Sequence, residues 1–111
     1  MSRSDDERIA DILEAAQEIA GIVLSGRQSY DENRLTQLAT EHLIQIIGEA
    51  ARVLNPETRA KYPDIDWGMI VGMRHFIAHH YHRVDYDQIW DTASVDVPEL
   101  ATALSTESTS N

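Results

Sequence analysis

Apolar residues recur at spacings of three and four along most of this chain. Ile9, Ile12, Leu13, Ala16, Ile19, Ala20 and Val23 form one stripe on a 3.6-residue period, which is the pattern of a helix with a single buried face. Just before the stripe stands Ser4-x-x-Glu7, a capping-box pattern, and Asp5, Asp6 and Glu7 suit the positive end of a helix dipole. Gly26 fits a C-terminal stop. Ser29-x-x-Glu32 repeats the capping pattern and predicts the start of a second helix. Its predicted buried face is Leu35, Leu38, Ala39, His42, Leu43, Ile46, Ile47, Ala50, Val53 and Leu54, and Asn55-Pro56 ends it. Two long amphipathic helices with a short connection imply an antiparallel hairpin.

Pro56 and Pro63 mark residues 55–66 as a loop with room for one turn. Asp66 is placed to cap a third helix that begins at Trp67, buries Met69, Ile70, Met73, Phe76 and Ile77, and fades between His80 and Arg83. Asp85-x-x-Gln88 resembles a further start, with Tyr86, Ile89, Trp90 and Ala93 turned inward. Pro98 is expected to kink or restart the last helix, which is expected to end near Leu104. No segment alternates with period two over a useful length. The prediction is an all-α, up-and-down bundle of four main helices with a short C-terminal helix or kinked extension. Residues 1–104 form one helical domain and 105–111 a disordered tail. A chain of 111 residues builds a thin core, so pairing with a second copy is physically useful.

Charge changes this picture. The chain carries 19 acidic and 9 basic residues, a formal net charge of −10, which argues against a basic DNA-binding domain. The absence of Cys excludes disulfides, thiolate-ligated zinc and a thiol nucleophile. No apolar run is long enough to span a membrane, and the polar, acidic N-terminus does not read as a signal peptide, so a soluble cytoplasmic protein is expected. The acidic residues stop at Asp66 and resume at Asp85. Between them lie Arg74, Arg83 and every histidine except His42: His75, His79, His80 and His82.

Three readings of this acid-free window compete. One is phosphodiester chemistry on RNA, which carries its own nucleophile in the 2′-hydroxyl. A histidine would move the proton and an arginine would stabilise charge on the phosphate. Arg74 and His79 are about 140° apart on an ideal helix, so a frayed helix end, the reach of the arginine, or a second subunit has to bring them together. The second is a metal site from His75, His79 and His82 at i, i+4, i+7, which the flanking arginines disfavour. The third is a plain helix terminus whose histidines meet the negative end of the dipole. Composition and spacing leave the choice between an anion site and a plain terminus open.

The order of residues goes further. Arg74-His75-Phe76-Ile77-Ala78-His79-His80-Tyr81 resembles the R-polar-x-x-x-H-x-Y motif of HEPN domains, specifically the HepT-like (DUF86) family. Ile46-Ile47-Gly48-Glu49-Ala50 resembles the family's second-helix segment, and Tyr62-Pro63-Asp64-Ile65-Asp66-Trp67 its approach to the third helix. Gly72-Met73-Arg74, Val84-Asp85-Tyr86 with Trp90, and Asp96-Val97-Pro98-Glu99-Leu100 resemble the remaining frame. The likeness covers most of residues 9–104.

The resemblance implies a HEPN-like toxin of a toxin–antitoxin pair: a metal-independent endoribonuclease with no cofactor, acting as a homodimer whose motifs meet in a composite cleft. The implied partner is an MNT-type nucleotidyltransferase antitoxin that transfers AMP to the motif tyrosine. Carried over by position, Arg74 stabilises the scissile phosphate, His79 is the general acid/base, and Tyr81 is the adenylylated residue at the RNA cleft. His75 stands at a polar position, commonly Asn, and is a mild departure that orients the site or contacts RNA. His80 and His82 match no required position and read as surface residues. Glu49 is open to either a cleft or a solvated structural role. The rival implication is a non-catalytic HEPN module that complexes a nucleotidyltransferase.

Overall fold

The computed structural model of the chain describes residues 3–74 and 85–109, and every regular element among them is a helix. α1 is Asp5–Leu24. Its capping box is complete: Ser4 Oγ accepts from Glu7 N at 3.1 Å, and Glu7 Oε1 accepts from Ser4 N at 3.0 Å. Ile12, Ala16 and Ile19 are buried, as the stripe predicted; Ala15, outside the stripe, is buried with them, while Ala20 is exposed.

The connection to the next long helix differs from the prediction. Ser29 lies inside a short helix, α2 (Arg27–Glu32), and the cap of α3 (Arg34–Arg52) is Asn33, whose side chain accepts from Thr36 N at 3.0 Å. Two things decide this. Gly26 has φ +94°, a conformation that favours glycine, so the chain turns there and re-enters a helix at Arg27. Tyr30, fully buried, then anchors α2: its hydroxyl donates to Tyr86 O at 2.9 Å and its ring lies 5.1 Å from Trp90. Arg27 reaches across to Asp31 and Asp87 and lies 5.7 Å from the Trp90 ring, so α2 and the start of the last helical column are clamped together.

α1 and α3 are antiparallel. The first turn of α1 meets the end of α3, where Arg8 donates to Val53 O at 3.3 Å. Asp5 Oδ2 there accepts from Asn55 N and Nδ2, each at 3.1 Å, and from the Thr58 hydroxyl. The inward face of α3 is Thr40, Ile44, Ile47, Gly48 and Ala51, spaced 4-3-1-3. The predicted face was turned too far toward the second apolar row. Leu35 is 78% exposed, and Leu38, Ala39, His42 and Val53 are exposed as well. Thr40 can be buried because its hydroxyl donates to Thr36 O at 2.7 Å, which satisfies it within the helix.

α4 (Pro56–Ala60) is the single turn expected in the loop, with Pro56 at its start. α5 (Trp67–Gly72) begins as predicted, with Asp66 accepting from Met69 N at 3.1 Å. Trp67, Ile70 and Met73 are buried, but Met69 is turned outward and exposed. The continuation through Phe76 and Ile77 toward Arg83 lies outside the described residues.

The last column opens at α6 (Tyr86–Asp91), capped by Asp85 on Gln88 N at 3.0 Å as predicted. It widens into a π-helical turn, Thr92–Asp96, and continues as α7 (Val97–Thr109). Val97 N donates to Thr92 O across this turn. The wide turn is the device that lets the helix pass Pro98, which has no N–H and whose ring would collide with the carbonyl one turn back. α7 runs beyond Leu104 to Thr109, so residues 105–109 are helical.

The core lies between α1, α3, α5 and the last column. It is led by Ile12, Ile19, Ile44, Ile47, Ile70, Met73, Ile89, Val97 and Leu104, all nearly inaccessible.

Candidate active site

α5 is aimed at α3 from two ends. At its start, Trp67 Nε1 donates to Arg59 O at 3.2 Å, and the Tyr62 ring meets Trp67 edge-on at 6.2 Å. Arg59 in turn donates to Ala51 O at 2.8 Å and Arg52 O at 3.1 Å, carbonyls at the C-terminal end of α3. At its far end, Met73 N donates to Ile70 O at 3.1 Å and Arg74 N to Val71 O at 3.4 Å, a tightened turn. Ile70 and Met73 are buried in the core, so Arg74 is delivered against the C-terminal half of α3.

The contact point is Gly48. A Cβ built there would lie 2.9 Å from Arg74 N, closer than real Cβ atoms come, and 3.1 Å from Arg74 Cβ, a tight contact. The bare α-carbon therefore sets how near α5 comes. The next residue, Glu49, sets the direction of the side chain: Arg74 Nη1 donates to Glu49 Oε1 at 3.4 Å. The other carboxylate oxygen, Oε2, accepts from Arg52 Nη2 at 3.3 Å and Nε at 3.4 Å. A carboxylate thus stands between two guanidinium groups, and the cluster keeps one net positive charge on an acidic protein. Arg74 remains 32% exposed and can reach a ligand while its backbone is fixed.

Of the residues singled out in the sequence, Arg74 is placed by the structure. His75, His79, His80, Tyr81, His82 and Arg83 lie outside the described residues. His42 is on the exposed face of α3. Glu49, left open between two roles, contacts Arg74 directly. Arg52 was missed, because a single arginine one turn beyond a glutamate reads as an ordinary helix-surface pair. Among the described residues no group of three or more His, Asp or Glu is gathered as a metal site, and no helix is long and apolar enough to cross a membrane.

Fold and site together define a small all-helical protein that holds an arginine ready at the entrance to an acid-free segment. The chain matches the family described as "Ribonuclease HepT-like" over residues 12–106. It is 34% identical over 104 residues to a Methanocaldococcus jannaschii protein named "Putative RNase MJ1380", a match covering 90% of this chain and 94% of that one. It is 34% identical over 93 residues to "Putative RNase MJ1216" of the same organism, covering 81% and 75%. A Thermococcus cleftensis protein named "Probable ribonuclease HepT" is 32% identical over 104 residues, covering 90% and 92%. No solved structure matches. The chain belongs to the HepT-like ribonuclease family.

Proposed function

We propose that this protein is a metal-independent endoribonuclease that acts as the toxin of a toxin–antitoxin pair. The observation that carries the reading is the seating of Arg74: a side chain locked at its backbone by Gly48, oriented by Glu49 and still about one-third exposed. An arginine so held stabilises the extra negative charge on a phosphorus under attack, and pre-orientation removes the cost of ordering it at the moment of reaction. His79 is the proton carrier. It takes the proton of the RNA 2′-hydroxyl as the 2′-oxygen bonds to phosphorus, and a proton passes to the 5′-oxygen as the phosphorus–5′-oxygen bond breaks. His75 supports the site from the neighbouring position.

The active form is a homodimer. The exposed row Leu35, Leu38, Ala39 and His42 continues along α3 through Ile46 toward Glu49, so a second copy covering it would bring two Arg74 sites to one cleft. The partner antitoxin is an MNT-type nucleotidyltransferase. It transfers AMP from a nucleoside triphosphate to the Tyr81 hydroxyl, forming a tyrosyl–phosphorus bond and releasing pyrophosphate. The added charge and bulk then exclude RNA from the cleft.

The test is cleavage of labelled RNA by the purified protein with chelator present. Cleavage is expected for the unsubstituted chain and none for His79→Ala, with helicity and oligomeric state unchanged. Full activity of His79→Ala overturns the assignment. Coexpression with an adjacent nucleotidyltransferase should add AMP mass to the peptide containing Tyr81, and an unmodified Tyr81 under those conditions overturns the regulatory part.

A further inference from the structure

The Arg74–Glu49–Arg52 cluster has three properties that a structural ion pair does not need together. Its contacts, 3.3 to 3.4 Å, are long beside the 2.7–2.9 Å usual for charge-assisted bonds. All three side chains are accessible: Arg74 is 32% exposed, Glu49 44% and Arg52 47%. The two guanidinium groups grip opposite oxygens of one carboxylate, leaving the cluster with surplus positive charge. A carboxylate held loosely between two guanidinium groups occupies the position of a phosphodiester, which also offers two equivalent anionic oxygens.

We infer that Arg52 is a second phosphate-binding residue, and that Glu49 is a placeholder anion that keeps Arg52 and Arg74 at phosphate-bridging separation until RNA displaces it. The inference deepens the ribonuclease reading and rests on it. Arg52 belongs to the last turn of α3, and Arg59 ties down that turn's carbonyls, so its backbone is as firmly placed as that of Arg74. The two arginines come from helices fixed against each other at Gly48, so their separation is a property of the fold rather than of one flexible segment. A bound strand of RNA would meet Arg74 at the scissile phosphate and Arg52 at that phosphate or the adjacent one. Glu49, released, would rotate to solvent without leaving a buried charge behind, because it is already nearly half exposed.

The experiment measures binding of a fluorescent single-stranded 2′-O-methyl oligoribonucleotide, which lacks the reactive hydroxyl, by anisotropy across a range of salt. Arg52→Gln should bind roughly tenfold more weakly. The slope of log affinity against log salt should become shallower by about 0.7 for each phosphate that is no longer neutralised. Thermal midpoint and helicity should stay unchanged. Glu49→Gln, which keeps the side chain's size and removes its charge, should bind more tightly than the unsubstituted protein. Arg34→Gln removes the same charge at the opposite end of α3, about 27 Å away at 1.5 Å per residue, and should leave binding unchanged. Equal weakening by Arg34→Gln and Arg52→Gln, or no change of slope in Arg52→Gln, overturns the role of Arg52. Weaker binding by Glu49→Gln overturns the placeholder role. Absence of any RNA binding by the unsubstituted protein overturns the ribonuclease reading itself, a result distinct from these.

Discussion

Replacing Gly48 by Ala places one methyl group against the backbone of Arg74, just beyond the end of α5. The new carbon would stand 2.9 Å from Arg74 N and 3.1 Å from Arg74 Cβ, and neither atom is the free end of a flexible side chain. The helices must separate by a few tenths of an ångström. Overpacking of this kind costs about 1–3 kcal/mol. It is opposed by the helix propensity of Ala over Gly, about 1 kcal/mol in a helix interior. The net expectation is a loss of about 1 kcal/mol, or roughly 4–5 °C in thermal midpoint for a domain of this size. Gly21→Ala is the internal control. It lies in α1 with nothing within 4 Å of its would-be Cβ, so only the propensity acts, and it should stabilise by about 0.5–1 kcal/mol. The same substitution is thus expected to act with opposite sign at two helical sites. The assay is thermal unfolding followed by far-UV circular dichroism, paired with RNA cleavage. Gly48→Ala should also cut the cleavage rate about tenfold, because Arg74 is pushed from its seat. If Gly48→Ala proved as stabilising as Gly21→Ala and fully active, the close approach of α5 to α3 would not be what positions Arg74.

Three further outcomes are expected. Asn33→Ala should cost about 1 kcal/mol in urea unfolding, because it removes the cap of α3, whereas Ser29→Ala should be close to neutral. Tyr30→Phe should cost about 1 kcal/mol by the same measurement, since it deletes the bond to Tyr86 O and keeps the ring against Trp90. Asp5 is held below the ordinary carboxylate range, first by the Thr58 hydroxyl and then by the bonds from Asn55. A depressed folded pKa means that the unfolded chain takes up the proton first. The stability it contributes is full above the unfolded value and is lost as pH falls through the folded one. Asp5→Asn should therefore lower the thermal midpoint at neutral pH and flatten its decline on the acid side. An acid limb as steep as that of the unsubstituted protein would show that Asp5 is not the linked group.

Features that depend on a few adjacent residues were legible in the chain itself. The Ser4 box and the Asp66 and Asp85 caps form where the sequence places them, because a cap needs only a side-chain oxygen and an amide three residues away. The helical class follows from the 3.6-residue period, and the disturbance around Pro98 follows from its missing N–H. The gap in acidic residues from Asp66 to Asp85 marked the segment, and the order of motif residues marked Arg74.

The tertiary structure decided what depends on distant partners. Apolar residues run around much of α3, so the sequence left the inward face underdetermined. Packing against α1 and α5 selected Thr40, Ile44, Ile47 and Ala51, and left Leu35 and Leu38 outside. The cap moved from Ser29 to Asn33 because burial of Tyr30 against the last column fixed a short helix between them. Gly48, Glu49 and Arg52 became parts of one site only when α5 set Arg74 on them, across 25 residues of chain from Glu49. Local patterning sets which helices form, because caps and periodicity act within a turn or two. Which faces meet, and which charges they bring together, is set by the packing of whole helices, and no single segment carries that information.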